Sequence, residues 1–288
     1  MKIKTHEPLL HEQIAITNTI ASFWDQISEG WQTIWGPHIH HGFYDNNEPL
    51  TPLAAQEKLI DKLADLISIS PQDRILDAGS GMGGSSLYLA KKYQADVCGI
   101  TLRSKQTIIA SQQAHLENIK NVIFVVEDAL WLNSFADHSF DVVWSLESCE
   151  QFYDKKLFIQ NAYRVLKPGG KLMLATWCAS HDEYEGTLAK KYKKLCLAFD
   201  LPYTPTMEYY SSLLKLNGFS INSIFDWSTY VDKSWHIGIS LVSAYSILKL
   251  LKMSGWRGLR FASQIKLMRD AFREKRIRYG VFCASKPL

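Results

Sequence analysis

Between Arg74 and Ala90 the chain reads Arg-Ile-Leu-Asp-Ala-Gly-Ser-Gly-Met-Gly-Gly-Ser-Ser-Leu-Tyr-Leu-Ala. This is a short apolar strand, a glycine-dense turn and the start of a helix. Glycines at 79, 81 and 84 permit positive φ and let a ligand lie against the backbone without meeting a Cβ. Such a turn suits a nucleotide-like ligand held at the end of a strand.

Two nucleotide classes compete for the turn, besides the plain reading in which it only lets a helix pack on a sheet. A dinucleotide fold cradles a pyrophosphate on the helix N-terminus and places an acid about 20 positions later, at a strand end, for the ribose. Here Asp77 precedes the first glycine by two residues, where a fixed negative charge opposes a pyrophosphate and favours a cation. The next strand, Ala95-Asp96-Val97-Cys98-Gly99-Ile100, carries its acid near its start and leaves through Thr101-Leu102 without a carboxylate. A ligand with an ammonium, a sulfonium and no phosphate fits better, which points to S-adenosylmethionine.

Strand and helix patterns alternate beyond the turn. Strands are expected at 95–100, 122–126, 140–145, 171–177, 220–225 and 279–284. Helices are expected to Tyr93 and over about 104–117, 155–166, 183–199 and 207–216, with another at 52–69 ahead of the first strand. The alternation predicts an α/β fold: a doubly wound, mostly parallel seven-stranded sheet of Rossmann-like type, with ligands at the carboxyl ends of the strands. The division expected is an N-terminal helical lid over 1–70, a core over 71–233, a helical cap over 234–278 inserted before the last strand, and that strand over 279–288. Ile20, Trp24, Ile27, Trp31 and Trp35 recur at helical spacing, as core or as the apolar wall of a substrate pocket. In the cap, Ile237, Leu241, Tyr245 and Leu248 do the same.

Composition narrows the class. With 288 residues, 47% hydrophobic and 21% charged, the chain can bury a sizeable core. Five scattered cysteines, with no C-x-x-C pair, read as reduced core residues of a cytoplasmic protein. No secretory signal and no run of about 18 apolar residues is evident. The net charge of +3 is uneven: ten basic residues and two acids lie between Lys249 and Arg278. That basic cap reads as a solvated face, as peripheral contact with an anionic membrane, or as a nucleic-acid surface. No basic-aromatic interleaving or RNA module supports the last.

Residues at successive strand ends nominate a site. Asp77, Gly79 and Gly81 form the turn. Thr101 and Gln106 follow the second strand, where polar side chains reach ribose hydroxyls. Glu127-Asp128-Ala129 follows the third, where a carboxylate accepts from an adenine amino group. Ser145 to Glu150 follow the fourth, on the methyl-donor side. The segment Trp35-Gly36-Pro37-His38-Ile39-His40-His41-Gly42-Phe43-Tyr44-Asp45 has no periodicity and reads as a lid. Its histidines lack a carboxylate or cysteine cluster that would complete a metal site.

With these residues in place, the chain resembles the class I S-adenosylmethionine-dependent methyltransferases, and specifically the γ-tocopherol C-methyltransferase group, which includes plant indole-alkaloid N-methyltransferases. The resemblance rests on the 35–45 segment, Gly83 to Ala90, Gly99-Ile100-Thr101-Leu102, Val143-Trp144-Ser145-Leu146-Glu147-Ser148, Ala175-Thr176-Trp177-Cys178 and Asp226-Trp227-Ser228. It implies Gly79 and Gly81 along the methionine portion, Thr101, Leu102 and Gln106 along the ribose, Asp128 and Ala129 at the adenine, and Ser145 near the sulfur. His41 and Tyr44 would close over the cofactor. Ser80 and Met82 replace the group's usual cysteine and isoleucine, and Gln151 stands where the group usually has histidine.

Methyl transfer is an in-line displacement that chiefly requires alignment in a dry site. A base is needed only where the nucleophile must lose a proton. The candidates are Glu147, Glu150, His41 and His181, with Glu150 favoured. The expected acceptor is a lipophilic phenol or indole methylated on carbon or nitrogen, or else a small amine, with S-adenosylhomocysteine as product. The alternatives from other classes are an NAD(P)-dependent reductase and a non-catalytic scaffold that binds the cofactor. Oligomeric state is left open, a homodimer included.

Overall fold

The computed structural model describes residues 1–9, 22, 30, 32–45 and 48–288, with the backbone alone at 257 and 261. In chain order the elements are β1 (Lys2–Lys4), α1 (Pro52–Ile67), β2 (Arg74–Ala78), α2 (Gly84–Tyr93), β3 (Asp96–Thr101), α3 (Ser104–Leu116), β4 (Val122–Val126) and β5 (Phe140–Leu146). There follow α4 (Lys155–Val165), β6 (Leu166–Ala179), β7 (Glu183–Glu185), α5 (Gly186–Ala198), α6 (Met207–Leu216), β8 (Ser220–Asp226), α7 (Ser228–Val231), α8 (Lys233–Ser243), α9 (Ile247–Arg273) and β9 (Ile277–Ser285).

Seven strands form one sheet in the order β4-β3-β2-β5-β6-β9-β8. Neighbours from β4 to β6 pair in parallel, and β9 is antiparallel to both β6 and β8. Successive side chains along each strand enter opposite cores: Ile75, Val142 and Met173 pack on one side, and Leu76, Val143 and Leu172 on the other. That two-residue alternation is why the central strands read as near-continuous apolar runs: helices cover both faces.

Helix starts follow local chemistry. Thr51 accepts from the Ala54 amide at 3.2 Å ahead of Pro52, and Asp154 accepts from the Leu157 amide at 2.9 Å. Both are N-cap bonds that satisfy donors the helix leaves open.

Three local expectations change, and a fourth is not tested. Lys2–Lys4 forms an unforeseen strand paired with Glu183–Glu185, so the helix expected from 183 starts at Gly186 instead. The strand expected from 171 starts at Leu166 instead, with 167–170 as an excursion within β6, whose partners jump from Phe140↔Leu166 to Val142↔Lys171. The stripe from Ile237 to Leu248 spans a break between α8 and α9, and Leu248 is exposed. Ile20, Trp24, Ile27 and Trp31 lie outside the described residues, while 32–35 are helical.

Candidate active site

Chain order reverses at β2, which pairs with β3 on one side and β5 on the other. The loops leaving β2 and β5 therefore diverge and open a crevice at their carboxyl ends, the place where open α/β sheets bind ligands. The glycine turn follows β2, and Glu147 to Gln151 follow β5.

The two loops are locked together. The Ser148 hydroxyl donates to the Ala78 carbonyl at 2.6 Å and meets the Ser145 hydroxyl at 2.8 Å. Gly79, at φ +91°, presses so close that a Cβ there would lie 2.4 Å from the Ser148 Cβ. A Cβ at Gly81 would instead meet nothing within 4 Å, so that backbone faces open space.

The first chamber encloses about 1130 Å³, solvent at its mouth included, and is lined by Asp77, Gly79, Gly81, Thr101, Leu102, Gln106, Asp128 and Ala129 among others. The structure thus brings eight of the ten cofactor-site residues together. Thr101 donates to the Gln106 side-chain oxygen at 2.6 Å, and the Leu130 amide donates to Asp128 at 2.9 Å. Ser145 sits one layer below, bonded to Ser148 and absent from the lining. Tyr44 is not brought to the cleft: its amide donates to the Tyr230 carbonyl at 2.8 Å, and its ring lies under the Lys233 ammonium. His38, Ile39 and His40 form that wall instead.

Charge decides which ligand fits. Asp77, Glu127, Asp128 and Glu147 line the chamber, and among the described residues Arg103 is the only Lys or Arg that does. Burial pushes His38 down to about 3, which leaves it neutral. A pyrophosphate would meet four acids there, whereas a ligand bearing ammonium and sulfonium groups is matched by them. Asp77 is buried, accepts from the Ser86 hydroxyl at 2.6 Å, and is raised by desolvation from 3.8 to about 6. A carboxylate held at that cost, facing a cleft, suits a cationic group.

A second chamber of about 700 Å³ adjoins the first, sharing Ile39, His40, Glu147 and Gln151 with it. Its apolar walls include Trp35, Trp177, Phe199, Trp235 and Ile265. His41, Glu147 and Glu150, three of the four candidate bases, all line it. His41 therefore belongs to this chamber rather than to a cover over the first. His181 is in neither lining; its carbonyl accepts from Thr5 and its ring packs on Tyr184.

Glu147 is the hub. One oxygen accepts from the His41 amide at 2.9 Å and from the Tyr279 hydroxyl at 2.8 Å, and the other lies 2.7 Å from His41 Nδ1. Burial raises its carboxyl, but the His41 charge and hydrogen bonds outweigh that and the net shift is downward. An ionised Glu147 accepts the proton on His41 Nδ1, and Nε2, buried and without a partner among the described residues, is the nitrogen that carries the lone pair whenever the ring is neutral. Glu150 behaves oppositely. Burial and then the Glu147 charge push it up to about 8, although the Thr176 hydroxyl donates to it at 2.8 Å. At neutral pH it is a neutral acid and a donor, which removes the reason for favouring it as base.

Sequence reasoning missed His40, Trp177, Trp235 and Tyr279 as site residues. Tyr279 reaches Glu147 because β9 pairs with β6, opposite Trp177, and a tyrosine inside a strand carries no local signal of that. His40 Nδ1 donates to the His41 carbonyl at 2.8 Å. Among the described residues no group of three or more His, Cys, Asp or Glu is arranged to hold a metal.

A family model described as a methyltransferase domain matches residues 76–174. Chloroplastic tocopherol O-methyltransferase of Arabidopsis thaliana is 31% identical, over 95% of this chain and 83% of its own. The 2-methyl-6-phytyl-1,4-hydroquinone methyltransferase of Synechocystis sp. is 30% identical, over 93% and 87%. Among solved structures, the [4+2]-cyclase SpnF superposes with a TM-score of 0.82 at 22% identity, covering 94% of this chain and 96% of its own. The cyclopropane synthase MmaA2 from Mycobacterium tuberculosis gives 0.82 at 17%, covering 94% and 98%. These two speak to the fold.

Proposed function

Since the chain belongs to the class I S-adenosylmethionine-dependent methyltransferases, in the tocopherol-methyltransferase-like group, we propose that its acceptor is a lipophilic aromatic small molecule, methylated on a ring carbon or nitrogen. The observation that carries this reading is the second chamber: a tryptophan-rich space beside the cofactor cleft, with His41, Glu147 and Glu150 at its wall. A tocopherol-like phenol fits it, in line with the relatives named for tocopherol and phytyl-hydroquinone substrates. An indole alkaloid is the second acceptor class the aromatic wall supports.

When bound, S-adenosylmethionine supplies a methyl group already activated by a positively charged sulfur. Asp77, Gly79 and Gly81 would hold its methionine portion, Thr101, Leu102 and Gln106 its ribose, and Asp128 and Ala129 its adenine. The chain's own task is then alignment and proton management. Tryptophans 35, 177 and 235 exclude water and orient a flat acceptor. Glu147 holds His41 at the chamber wall, where its ring would take a phenolic or ring proton. Glu150, protonated, donates a hydrogen bond to an acceptor oxygen.

Five free cysteines, all buried, support a reducing compartment, cytoplasmic on the sequence reading. Among the described residues no single helix is long and apolar enough to cross a membrane. The test is incubation with labelled S-adenosylmethionine and a panel of phytyl-phenols, indoles and hydrophilic amines, read by mass spectrometry. Product from the lipophilic aromatics supports the proposal. Product from the amines alone, or cofactor binding with no product, refutes it.

A further inference from the structure

Seven lysines and arginines and no acid lie between Asp232 and Asp270. Over the same stretch α8 ends, the chain breaks at Ala244 to Ser246, and α9 begins, bent 115° away over Ile247–Trp256. A second break follows at Gly255, whose φ of +61° and ψ of −168° interrupt α9. Large apolar side chains stand in solvent at these corners: Ile247 is 66% exposed, Leu248 74% and Trp256 77%. Lys249 and Lys252 between them are exposed too, and the Lys249 ammonium lies 4.6 Å from the Tyr245 ring centre.

Exposed leucines elsewhere, such as Leu116 and Leu216, are flanked in sequence by polar residues and need no explanation. Here three large apolar residues, one a tryptophan, stand in a stretch of chain whose lysines and arginines are interrupted by no acid. A protein partner that covered the apolar residues would also have to neutralise the lysines. An anionic lipid surface does both, taking the apolar tips below the headgroups while Lys249 and Lys252 pair with phosphates. The same helices wall the second chamber, α8 through Ser234, Trp235 and Gly238 and α9 through Ile265.

We propose that the α8–α9 corner, with Ile247, Leu248 and Trp256 as inserted side chains and Lys249 and Lys252 as headgroup contacts, docks the protein on anionic bilayers. In that pose the chamber-lining helices lie against the source of acceptor, a role that rests on the lipophilic-acceptor reading, whereas docking itself does not.

The test is co-sedimentation of the full chain with vesicles of phosphatidylcholine alone, or with about a third phosphatidylglycerol. Wild type is expected to pellet with the anionic vesicles and to be released by salt. The variant Ile247→Ser, Leu248→Ser, Trp256→Ser is expected to bind about tenfold more weakly or less still. Lys249→Gln with Lys252→Gln is expected to lose a similar factor, on the anionic vesicles only. Both variants should keep wild-type S-adenosylhomocysteine affinity and turnover of a detergent-solubilised acceptor, which shows that they fold. The proposal is overturned if wild type stays in the supernatant, if the apolar variant pellets as well as wild type, or if the corner proves to bury itself in a dimer that the apolar variant splits. Vesicle binding with no methylation of any lipophilic acceptor would sustain docking and sink the acceptor reading.

Discussion

Asp77 offers the sharpest test of the cofactor cleft, because its charge is costly to the ligand-free protein and useful only to a cation. Desolvation raises its carboxyl from 3.8 to about 6. A difference of about two units corresponds to roughly 3 kcal/mol against folding at neutral pH. Between those two values the folded chain holds the proton more tightly than the unfolded one, so stability declines as pH rises from about 4 to 6 and is flat above. Asp77→Asn removes that cost and keeps an oxygen to accept from Ser86. The ligand-free variant is therefore expected to melt several degrees higher than wild type at pH 7, at roughly 2–4 °C per kcal/mol recovered. The cofactor loses a charged partner, and a charge-assisted bond of roughly 1.5–3 kcal/mol corresponds to about 10- to 150-fold in affinity. Differential scanning fluorimetry with and without S-adenosylhomocysteine, paired with calorimetric titration, reads both. A variant that melts lower when empty and binds S-adenosylhomocysteine as wild type does would show that Asp77 serves the fold through Ser86 alone, and the argument for a cation-selective cleft would fail.

His41→Gln is expected to cut turnover by about 10²–10⁴ while leaving S-adenosylhomocysteine affinity within a few-fold; comparable losses in both would make His41 a structural residue. Glu150→Gln, a close mimic of the neutral acid, should keep most activity at pH 7 and escape the loss expected in wild type as pH rises through about 8, when a second buried charge forms beside Glu147. A pH–rate profile checks this, and near-complete inactivity at pH 7 would restore Glu150 as the base. Gly79→Ala combines a left-handed backbone with a 2.4 Å approach to Ser148 and is expected to cost roughly 2–4 kcal/mol, measured by urea unfolding; a loss under 1 kcal/mol would mean that the two loops are not locked.

The alternation of strands and helices, the glycine turn and the run of polar residues at successive strand ends were readable from the chain alone. Each is a local pattern with a local cause: two-residue alternation for a sheet covered on both faces, a Cβ-free backbone beside a ligand, an acid ahead of it. Even where sequence reading nominated the right residues, their roles depended on neighbours distant in the chain. Glu147 and Glu150 are three apart and both carboxylic, and nothing local separates them. His41 and Tyr279 hold one of them ionised, while burial beside that charge keeps the other protonated.

The sequence by itself determined the sheet, its ligand-bearing edge and the positive charge of the ligand, because strand period, glycine placement and the sign of a nearby carboxylate act over a few residues. Only the tertiary structure decided that Tyr44 turns away from the cleft, that Trp35, Trp177 and Trp235 wall one chamber, and that a tyrosine on the last strand completes the Glu147 network. Those facts come from sheet order and helix packing, which bring together side chains more than a hundred positions apart, and no short-range pattern encodes them.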